Sequence, residues 1–399
     1  MSVPMNPNLT GALAPPVMEA RRWVADVAFP ADRPLLNLSQ AAPSLPPPEP
    51  LRRALAEAIL ELPEAHFYGP VLGDTDLREA IAERWSDHYA ARVEPFDVAV
   101  TSGCNQAFCA AVSTLCAPGD AVAMAVPWYF NHKMWLDMAG VATIPFACDD
   151  AMLPDIEACR AALTPETRAI LLISPNNPTG LEYPPALIAA FYDLARETGR
   201  VLILDETYRD FLSRPGPPHA LFEAPDWRQY FIHLYSFSKV YRLTGHRIGA
   251  MVTGASRLGE AEKFLDTVTI CPSRIGQIGA LFGLMHLSDW VARERAEIIA
   301  RRRVLEDELA SHLPAWRIRS AGAYFAWVEP PFDMPSNVLA KRLVREQSML
   351  ILPGTMFAPA HKGPGPHPWG ADRALRIAFA NADTAGLVEM TRRLAAFEP

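Results

Sequence analysis

Short apolar runs and amphipathic segments alternate along the chain from about residue 51. Two early segments, "LRRALAEAILEL" and "TDLREAIAERWSDHYA", repeat apolar residues at helical spacing. Later runs are brief and continuously apolar: "VAVTS", "AVAMAVP", "AILLIS", "VLILDE", "FIHLYS" and "IGAMVTG". Exposed antiparallel strands would alternate apolar with polar residues, so these runs indicate strands covered by helices on both faces. The pattern predicts an α/β fold whose large domain has an open, mainly parallel sheet.

The pattern changes after about residue 285. A long charged helix precedes the apolar runs "WRIRS", "AYFAWVE", "MLILP" and "LRIAFA", with a helix near 336–346 and another at the end, as in a smaller α+β domain. The first 50 residues are proline-rich and poorly periodic, which indicates an extended arm. We therefore predict an arm at 1–45 that joins the small domain, a large domain at 46–287 and a small domain at 288–399.

Composition and charge narrow the classes of function. The 399 residues carry a formal net charge of −8 and are 50% hydrophobic, which is ordinary for a globular protein and does not suggest a nucleic-acid surface. The six cysteines lack paired metal-ligand spacing and the first residues lack a secretory signal, so reduced thiols, no metal and a cytoplasmic location are expected. No apolar run is as long as a membrane span, so no membrane partner is expected.

Small and polar residues follow several of the predicted strands. "TSGCNQA", around Gly103, suits the approach of an anion to a helix N-terminus, although an ordinary strand–helix turn explains it equally well. "SPNNPTG" holds Asn177 in a proline-stiffened loop, where its amide could bind a ligand oxygen. "DETY" places Asp205 and Glu206 after an apolar run, with Tyr208 close by. A buried carboxylate there requires a cationic or protonated partner, for which a pyridinium nitrogen is a strong candidate.

The stretch "SFSKVYRLTGHRIG" contains Lys239, one of only five lysines in an arginine-rich chain. Ser236, Ser238 and Arg247 are good phosphate ligands. A lysine close to positive charge and apolar strands has its ammonium form disfavoured, which is the condition that a Schiff-base lysine needs. A lysine on a surface turn is the alternative, but it leaves the surrounding serines and Arg247 unexplained.

Taken in this order, the motifs resemble those of the fold-type I, class I/II aminotransferases, the pyridoxal phosphate enzymes typified by aspartate aminotransferase. The resemblance extends from about residue 35 to the C-terminus and is most specific in "SPNNPTG", "DETY" and "SFSKVYRLTGHRIG". It implies an enzyme that moves an amino group from an α-amino acid to a 2-oxo acid. It also implies pyridoxal 5'-phosphate as the cofactor, bound in the large domain, and a homodimer with composite active sites.

The resemblance further implies individual roles. Lys239 would hold the cofactor as a Schiff base and act as the catalytic base, while Asp205 would pair with the pyridine nitrogen. Asn177 and Tyr208 would bind the ring's phenolic oxygen, and Arg376 would clamp the substrate α-carboxylate next to Asn177. An aromatic residue, Tyr129 or its neighbour Trp128, would stack on the ring. The phosphate would be held by Gly103, Cys104, Asn105, Ser236, Ser238, Arg247 and, from the neighbouring subunit, Tyr68.

Several questions stay open at this point. His246 stands where many members of the family carry tryptophan, and Asn105 with Gln106 fills a variable part of the phosphate loop. A C–S lyase or an aminocyclopropane carboxylate synthase-like enzyme would use the same motifs, and a non-catalytic ligand-sensing module is a remote alternative. The substrate side chain is not specified, because Arg274 and the loop at 361–372 either contact substrate or are structural.

Overall fold

The computed structural model of the chain describes residues 3–363 and 365–399, so Met1 and Ser2 of the arm and Pro364 of the 361–372 loop lie outside it. The described residues form thirteen strands: Leu36–Asn37 (β1), Val98–Thr101 (β2), Ala121–Val126 (β3), Ala142–Ala147 (β4), Thr167–Ile173 (β5), Val201–Asp205 (β6), Phe231–Ser236 (β7), Gly249–Val252 (β8), Arg317–Gly322 (β9), Phe325–Glu329 (β10), Met349–Leu350 (β11), Leu352–Pro353 (β12) and Leu375–Ile377 (β13).

Fifteen α-helices accompany these strands in the described part of the chain: Pro7–Gly11 (α1), Pro16–Ala25 (α2), Glu49–Glu61 (α3), Thr75–Tyr89 (α4), Cys104–Leu115 (α5), Phe130–Ala139 (α6), Ile156–Ala162 (α7), Pro185–Glu197 (α8), Trp227–Tyr230 (α9), Phe237–Val240 (α10), Ala255–Thr269 (α11), Arg274–His286 (α12), Ser288–His312 (α13), Ser336–Gln347 (α14) and Thr384–Ala395 (α15). None of them is long and apolar enough to cross a membrane.

The larger sheet has seven strands in the order β2-β8-β7-β6-β5-β3-β4. All neighbours in it run parallel except β8, which is antiparallel to both β2 and β7. Along β6, Leu202 and Leu204 pack into the core on one face of the sheet, and Ile203 packs into the core on the other. Both faces are therefore buried, as the continuous apolar runs require. The predicted open, mainly parallel sheet is confirmed.

The C-terminal part contains a second, antiparallel sheet in the order β12-β13-β10-β9. Its core includes Phe325 and Ile377 from the sheet, Leu305 from α13, Leu339 from α14 and Met390 from α15, all fully buried. Helices and antiparallel strands thus share one core, and the predicted α+β region is confirmed.

The N-terminal residues join this smaller core. β1 pairs in parallel with β11, and Leu38 directly after it is fully buried. The expectation of an extended arm was wrong for residues Pro7–Gly11 and Pro16–Ala25, which are helical. Both helices begin at a proline, and this position tolerates proline because its missing N–H would have no partner there. α2 also buries Ala20 against the core, which stabilises a helix that its weak periodicity did not predict.

Gly180 lies where the loop after β5 meets the smaller sheet. Its φ of +77° is in the left-handed region, and a Cβ built on it would overlap Phe325 O and lie 2.6 Å from the nitrogen and oxygen of Gly322. The same junction holds a hydrogen bond from Ser320 Oγ to Thr179 O at 2.8 Å. Only glycine allows the two backbones to approach this closely.

We expect Gly180→Ala to lower the free energy of unfolding by about 3 kcal/mol or more, because left-handed strain and backbone overlap add together. Gly199→Ala is the matched control: its φ is +68°, but nothing lies within 4 Å of a Cβ built there. In this control only the left-handed strain remains, and the lower entropy of the unfolded chain partly offsets it. We therefore expect Gly199→Ala to lower the free energy of unfolding by about 1 kcal/mol. Equal losses for the two variants in urea unfolding would show that the close approach does not matter.

Candidate active site

Three adjacent parallel strands, β7, β6 and β5, end at the same edge of the larger sheet. Asp205 is the last residue of β6 and Ser236 the last of β7, while Asn177 follows β5 and Lys239 lies on α10 just after β7. Because neighbouring strands are about 4.8 Å apart, these side chains meet at one place. They line a cavity of about 490 Å³ together with Cys104, Asn105, Tyr129, Tyr208, Ser238 and Arg247.

Lys239 projects into this cavity, and its Nζ donates a hydrogen bond to Ala41 O. Burial, together with the positive charges of Arg247 and Arg376, lowers the pKa of Lys239 to about 8. Nζ also lies 6.0 Å from the centre of the Tyr208 ring. A large fraction of this amine is therefore uncharged, and nucleophilic, at mildly alkaline pH.

The two carboxylates of "DETY" point in different directions. Asp205 faces the cavity, where His132 Nε2 lies 3.3 Å from its Oδ2 and the Thr207 amide donates to its Oδ1 at 3.0 Å. Burial would raise the pKa of Asp205, but His132 and Thr207 together hold it below its usual value. Glu206 is buried on the far side, 2.9 Å from His233 Nε2. Only Asp205 therefore offers its negative charge to a ligand in the cavity.

The opposite end of the cavity has the features of an anion site. Gly103 precedes α5 with a φ of +88°, and a Cβ built on it would lie 2.5 Å from Arg247 Nη2. Arg247 Nη1 lies 3.5 Å from Ser238 Oγ and donates to Thr244 O at 2.9 Å. The missing side chain at Gly103 thus lets the guanidinium approach the N-terminus of α5, where backbone N–H groups favour negative charge. Burial raises the pKa of the Cys104 thiol well above its usual range, so Cys104 contributes bulk and backbone here.

Aromatic residues form one wall of the cavity. Tyr129 lines it and accepts a hydrogen bond from Asn131 Nδ2 at 2.8 Å. The ring of His132 lies edge-on to Tyr129 at 5.1 Å, and on its other side it is 4.1 Å from Phe108. Trp128 instead packs in the apolar core behind the cavity and does not line it. Of the two aromatic candidates, Tyr129 is the one that faces the space for a ligand.

Arg376 lies in an adjoining chamber of about 280 Å³, which shares Lys239, Asn177, Tyr129 and Tyr208 with the first cavity. Its guanidinium donates to Asn177 Oδ1 at 2.8 Å and to Ser39 O, and its Nε has no partner within residues 3–363 and 365–399. Burial lowers the pKa of Arg376 to about 10. A buried guanidinium without an acidic partner is well suited to bind a carboxylate.

Other predicted residues lie away from both chambers. Tyr68 is 80% exposed, so within one chain it contacts neither chamber. Arg274 lines neither chamber and pairs with Asp74 Oδ1 at 2.6 Å. His246 is only half-buried beside Arg247 and lines neither space. In the loop at 361–372, His367 and Trp369 pack on the protein, and none of its described residues lines either chamber.

Comparison with known proteins identifies the family. The family profile for "Aminotransferase class I and II" matches residues 33–394. The chain belongs to the class I and II aminotransferases.

Individual members show how far the similarity extends. The chain is 28% identical to an aromatic aminotransferase of Arabidopsis thaliana, over 97% of this chain and 93% of the relative. It is 28% identical to an aspartate/prephenate aminotransferase of Thermus thermophilus, over 89% and 90% of the two chains. Aspartate aminotransferase from Thermus thermophilus with maleate superposes with a TM-score of 0.87 at 23% identity, covering 99% of this chain and 100% of that one. This chain is therefore an enzyme that transfers amino groups on the aspartate aminotransferase fold.

Sequence reasoning missed several residues of this aminotransferase's site. His132 contacts Asp205, and its only sequence signal is its position three residues after Tyr129 at the start of a helix, which places both on one face. The backbone of Ser39 and Ala41 gave no signal at all, because carbonyl groups carry no residue identity. The other residues that line the first cavity without having been predicted are Arg21, Gln40, Ala42, Asn131, Ile173, Thr207 and Thr244.

In the cofactor-free aminotransferase, we expect the Lys239 amine to titrate near pH 8. With only five lysines in the chain, reductive ¹³C-methylation gives few NMR signals, and the Lys239→Arg variant identifies the one that matters. Arg247→Gln should raise this pKa, because a neighbouring positive charge that disfavours the ammonium form is removed. A Lys239 signal that titrates above pH 10 in the unsubstituted protein would contradict the electrostatic analysis.

Proposed function

We propose that this aminotransferase uses pyridoxal 5'-phosphate, held in the 490 Å³ cavity, to move an amino group from an α-amino acid to a 2-oxo acid. The observation that supports it is the convergence of three groups in one cavity: an amine of lowered pKa on Lys239, the carboxylate of Asp205 and the anion site around Arg247. When bound, the cofactor supplies an electron sink for the negative charge left on the substrate Cα after proton removal.

The cavity residues suit the cofactor from one end to the other. We assign the phosphate to Ser236, Ser238, Arg247 and the amides at the start of α5, where glycine at 103 leaves room. Asp205 would pair with the pyridine nitrogen and favour its protonated form, and His132, whose Nε2 lies 3.3 Å from Asp205 Oδ2, would help to hold that carboxylate in place. The remaining contacts, from Asn177 and Tyr208 to the phenolic oxygen and from Tyr129 to the ring face, follow from the same orientation and remain predictions.

Lys239 has two tasks in this proposal. Its amine would hold the cofactor as a Schiff base, and the free Nζ would act as the base that takes the proton from the substrate Cα. The pKa of about 8 suits both tasks, because a base works best when its pKa lies near the working pH. The same Nζ, once protonated, would serve as the acid, so one amine would act as base and as acid.

Arg376 orients the substrate for this proton transfer. The residue is 2% exposed, and its guanidinium is fixed by Asn177, Ser39 and the rings of Phe325 and Phe357 at 4.6 and 4.7 Å. A substrate α-carboxylate bound there by paired hydrogen bonds would place Cα close to Lys239, which lines the same chamber.

We also propose a homodimer. Apolar side chains are exposed in the segments that contain Tyr68 and the end of α11: Leu60 and Phe67 precede Tyr68 in the chain, and Val268 lies three residues before Cys271. The Gly69 amide donates to Cys271 Sγ at 3.4 Å, so the segment around Tyr68 adjoins the C-terminal end of α11. An apolar patch of this kind is typical of an interface between subunits, and it would carry Tyr68 into a neighbouring phosphate site. The cytoplasmic location expected from the sequence remains a prediction.

The chemical proposal is tested by a single half-reaction. Purified enzyme loaded with pyridoxal phosphate and mixed with amino acids, but with no 2-oxo acid, should release one 2-oxo acid per active site and no ammonia. Catalytic release of ammonia would instead support the C–S lyase alternative. Lys239→Ala should slow the cofactor's absorbance change by at least about 10²- to 10⁴-fold, the usual contribution of a general base. Lys263→Ala is the control, because Lys263 is an exposed residue of α11 paired with Glu260.

The dimer is tested by Leu60→Glu. Leu60 is 79% exposed in the single chain, and a charge buried between subunits without a partner is costly, so we expect a monomer in light scattering and weaker cofactor binding. Val338→Glu, on an exposed apolar position of α14, should leave the oligomeric state unchanged. A Leu60→Glu protein that stays dimeric would place the interface elsewhere.

A further inference from the structure

A second cationic pocket lies away from the active site, bordered by α4, α12, α13 and the segment that follows β6. Its volume is about 200 Å³, and none of its described lining residues lines either active-site chamber. Among the described lining residues, four are arginines and one is acidic: Arg84, Arg209, Arg214 and Arg295 against Asp210. The pocket is therefore positively charged and separate from the cavity proposed for the cofactor.

The hydrogen-bond partners of these arginines are neutral. Arg84 donates to Ser288 Oγ at 3.1 Å and to a main-chain carbonyl of α12. Arg295 donates to the carbonyl of Arg214 at 3.0 Å, and the Arg214 guanidinium donates to two main-chain carbonyls at 3.1 and 2.7 Å. In the part of the chain that the structure describes, no carboxylate lies within 4.0 Å of any of the four. Oxygen atoms without a charge thus hold these groups in place, and no ion pair neutralises them.

Arg209 is the most deeply buried of the four, at 3% exposed. Its guanidinium carbon lies 3.4 Å from the centre of the Trp85 ring, and its Nη1 donates to the Tyr89 hydroxyl at 3.1 Å. Its Nε is buried without a partner among the described residues, as are Arg214 Nε and His88 Nε2. Burying a polar nitrogen without a partner costs free energy. Three such nitrogens belong to residues that line this one pocket, and they are available to a polar ligand.

Two carboxylates lie near these cations. Asp210 accepts a hydrogen bond from the Tyr235 hydroxyl at 2.6 Å. Glu206 is linked to Arg209 only through the Tyr89 hydroxyl, which bonds to both. Four guanidinium groups against two carboxylates leave the pocket with an excess of two positive charges.

The excess of charge is confined to this inner pocket. Burial and the nearby charge of Arg209 lower the pKa of His88 to about 4, so the imidazole adds no charge at neutral pH. An adjoining hollow of about 470 Å³ shares Arg84 and His88 with the pocket, but it also contains Glu83 and Asp87. An anion is therefore favoured beside Arg209 and disfavoured in the outer hollow.

We infer that the pocket binds a small phosphate-bearing anion, either inorganic phosphate or a small phosphomonoester, through Arg84, Arg209 and Arg295. A phosphate group carries a charge of about −1.5 to −2 at pH 7 and three strong acceptor oxygens, which suits the excess charge and donors that come from different elements. Arginine binds phosphate by paired hydrogen bonds. A volume of 200 Å³ is below the roughly 300–1,000 Å³ of sites for drug-sized ligands, so the ligand is small. A carboxylate, with one charge, would leave part of the excess unbalanced.

Calorimetry on the holoenzyme tests the inference, with inorganic phosphate as the probe. The cofactor is bound first, so that its own phosphate occupies the anion site around Arg247. We expect one phosphate per chain, and Arg295→Gln or Arg84→Gln should each weaken its binding by about 10- to 100-fold, because a charge-assisted hydrogen bond is lost. Arg295→Lys, which keeps the charge but not the planar group, should lose less. Arg293→Gln is the matched control: it removes the same charge from an exposed position of α13 and lines neither the pocket nor the hollow.

Two further probes identify the ligand. Glycerol phosphate bound as tightly as inorganic phosphate, or more tightly, would indicate an organic phosphate, and weaker binding would indicate the free ion. Acetate should bind at least about 10-fold more weakly than phosphate, because it carries less charge.

The inference is overturned if phosphate does not bind, if acetate binds as tightly, or if Arg293→Gln weakens binding as much as Arg295→Gln. It is also overturned if Arg247→Gln abolishes binding and Arg295→Gln does not, because the phosphate would then lie in the cavity proposed for the cofactor. None of these measurements depends on transfer of an amino group, so failure of the proposed function is detected separately.

Discussion

The buried cation of Arg376 is the constraint on which the site depends. The residue is 2% exposed, and its guanidinium has no carboxylate partner among residues 3–363 and 365–399. Burying an uncompensated charge is expensive, and here it is tolerated because Asn177 and a main-chain carbonyl accept its hydrogen bonds and two aromatic rings lie against it. These partners come from the loop after β5, the N-terminal segment, β10 and the turn after β12, so one side chain joins parts of the chain that are far apart in sequence. The buried Nε of Arg376 has no hydrogen-bond partner among the described residues, and a bound carboxylate would offset the free-energy cost of burying it.

The order of the strands explains why the chemistry lies at this edge. β7, β6 and β5 are neighbours, and each has a candidate functional residue at its end or within four residues after it: Lys239, Asp205 and Asn177, respectively. The helices after parallel strands turn away from the sheet, which leaves their carboxyl ends open to a ligand. The order of the strands thus brings these side chains together. Contacts between side chains, such as that between His132 and Asp205, then shift their pKa values.

Much of this arrangement could be predicted from local sequence, because buried parallel strands and their terminal residues leave a continuous apolar run followed by polar residues. Strand β4 left no such run: it lies at the edge of the sheet, is half-buried and contains Pro145, which only an edge strand tolerates. Helix α2 was missed because tertiary packing of Ala20, more than periodicity, stabilises it. Arg21 was missed with it, since a surface arginine on a helix carries no signal of its own. Contacts between distant parts of the chain also leave no local signal: the hydrogen bond from Arg376 to Ser39 O joins residues more than 300 positions apart.

The charges in the two chambers also link substrate binding to catalysis. Asp205 is the only acidic residue among the described lining residues, against four cationic side chains: Arg21, Lys239, Arg247 and Arg376. Burial, together with the charges of Arg247 and Arg376, lowers the pKa of Lys239 and so favours its uncharged amine. An anionic ligand neutralises the same field and raises the proton affinity of Nζ. In the proposed mechanism the amine would therefore become a stronger base with an anionic substrate in place, so the cations proposed to bind the substrate would also adjust the base that acts on it.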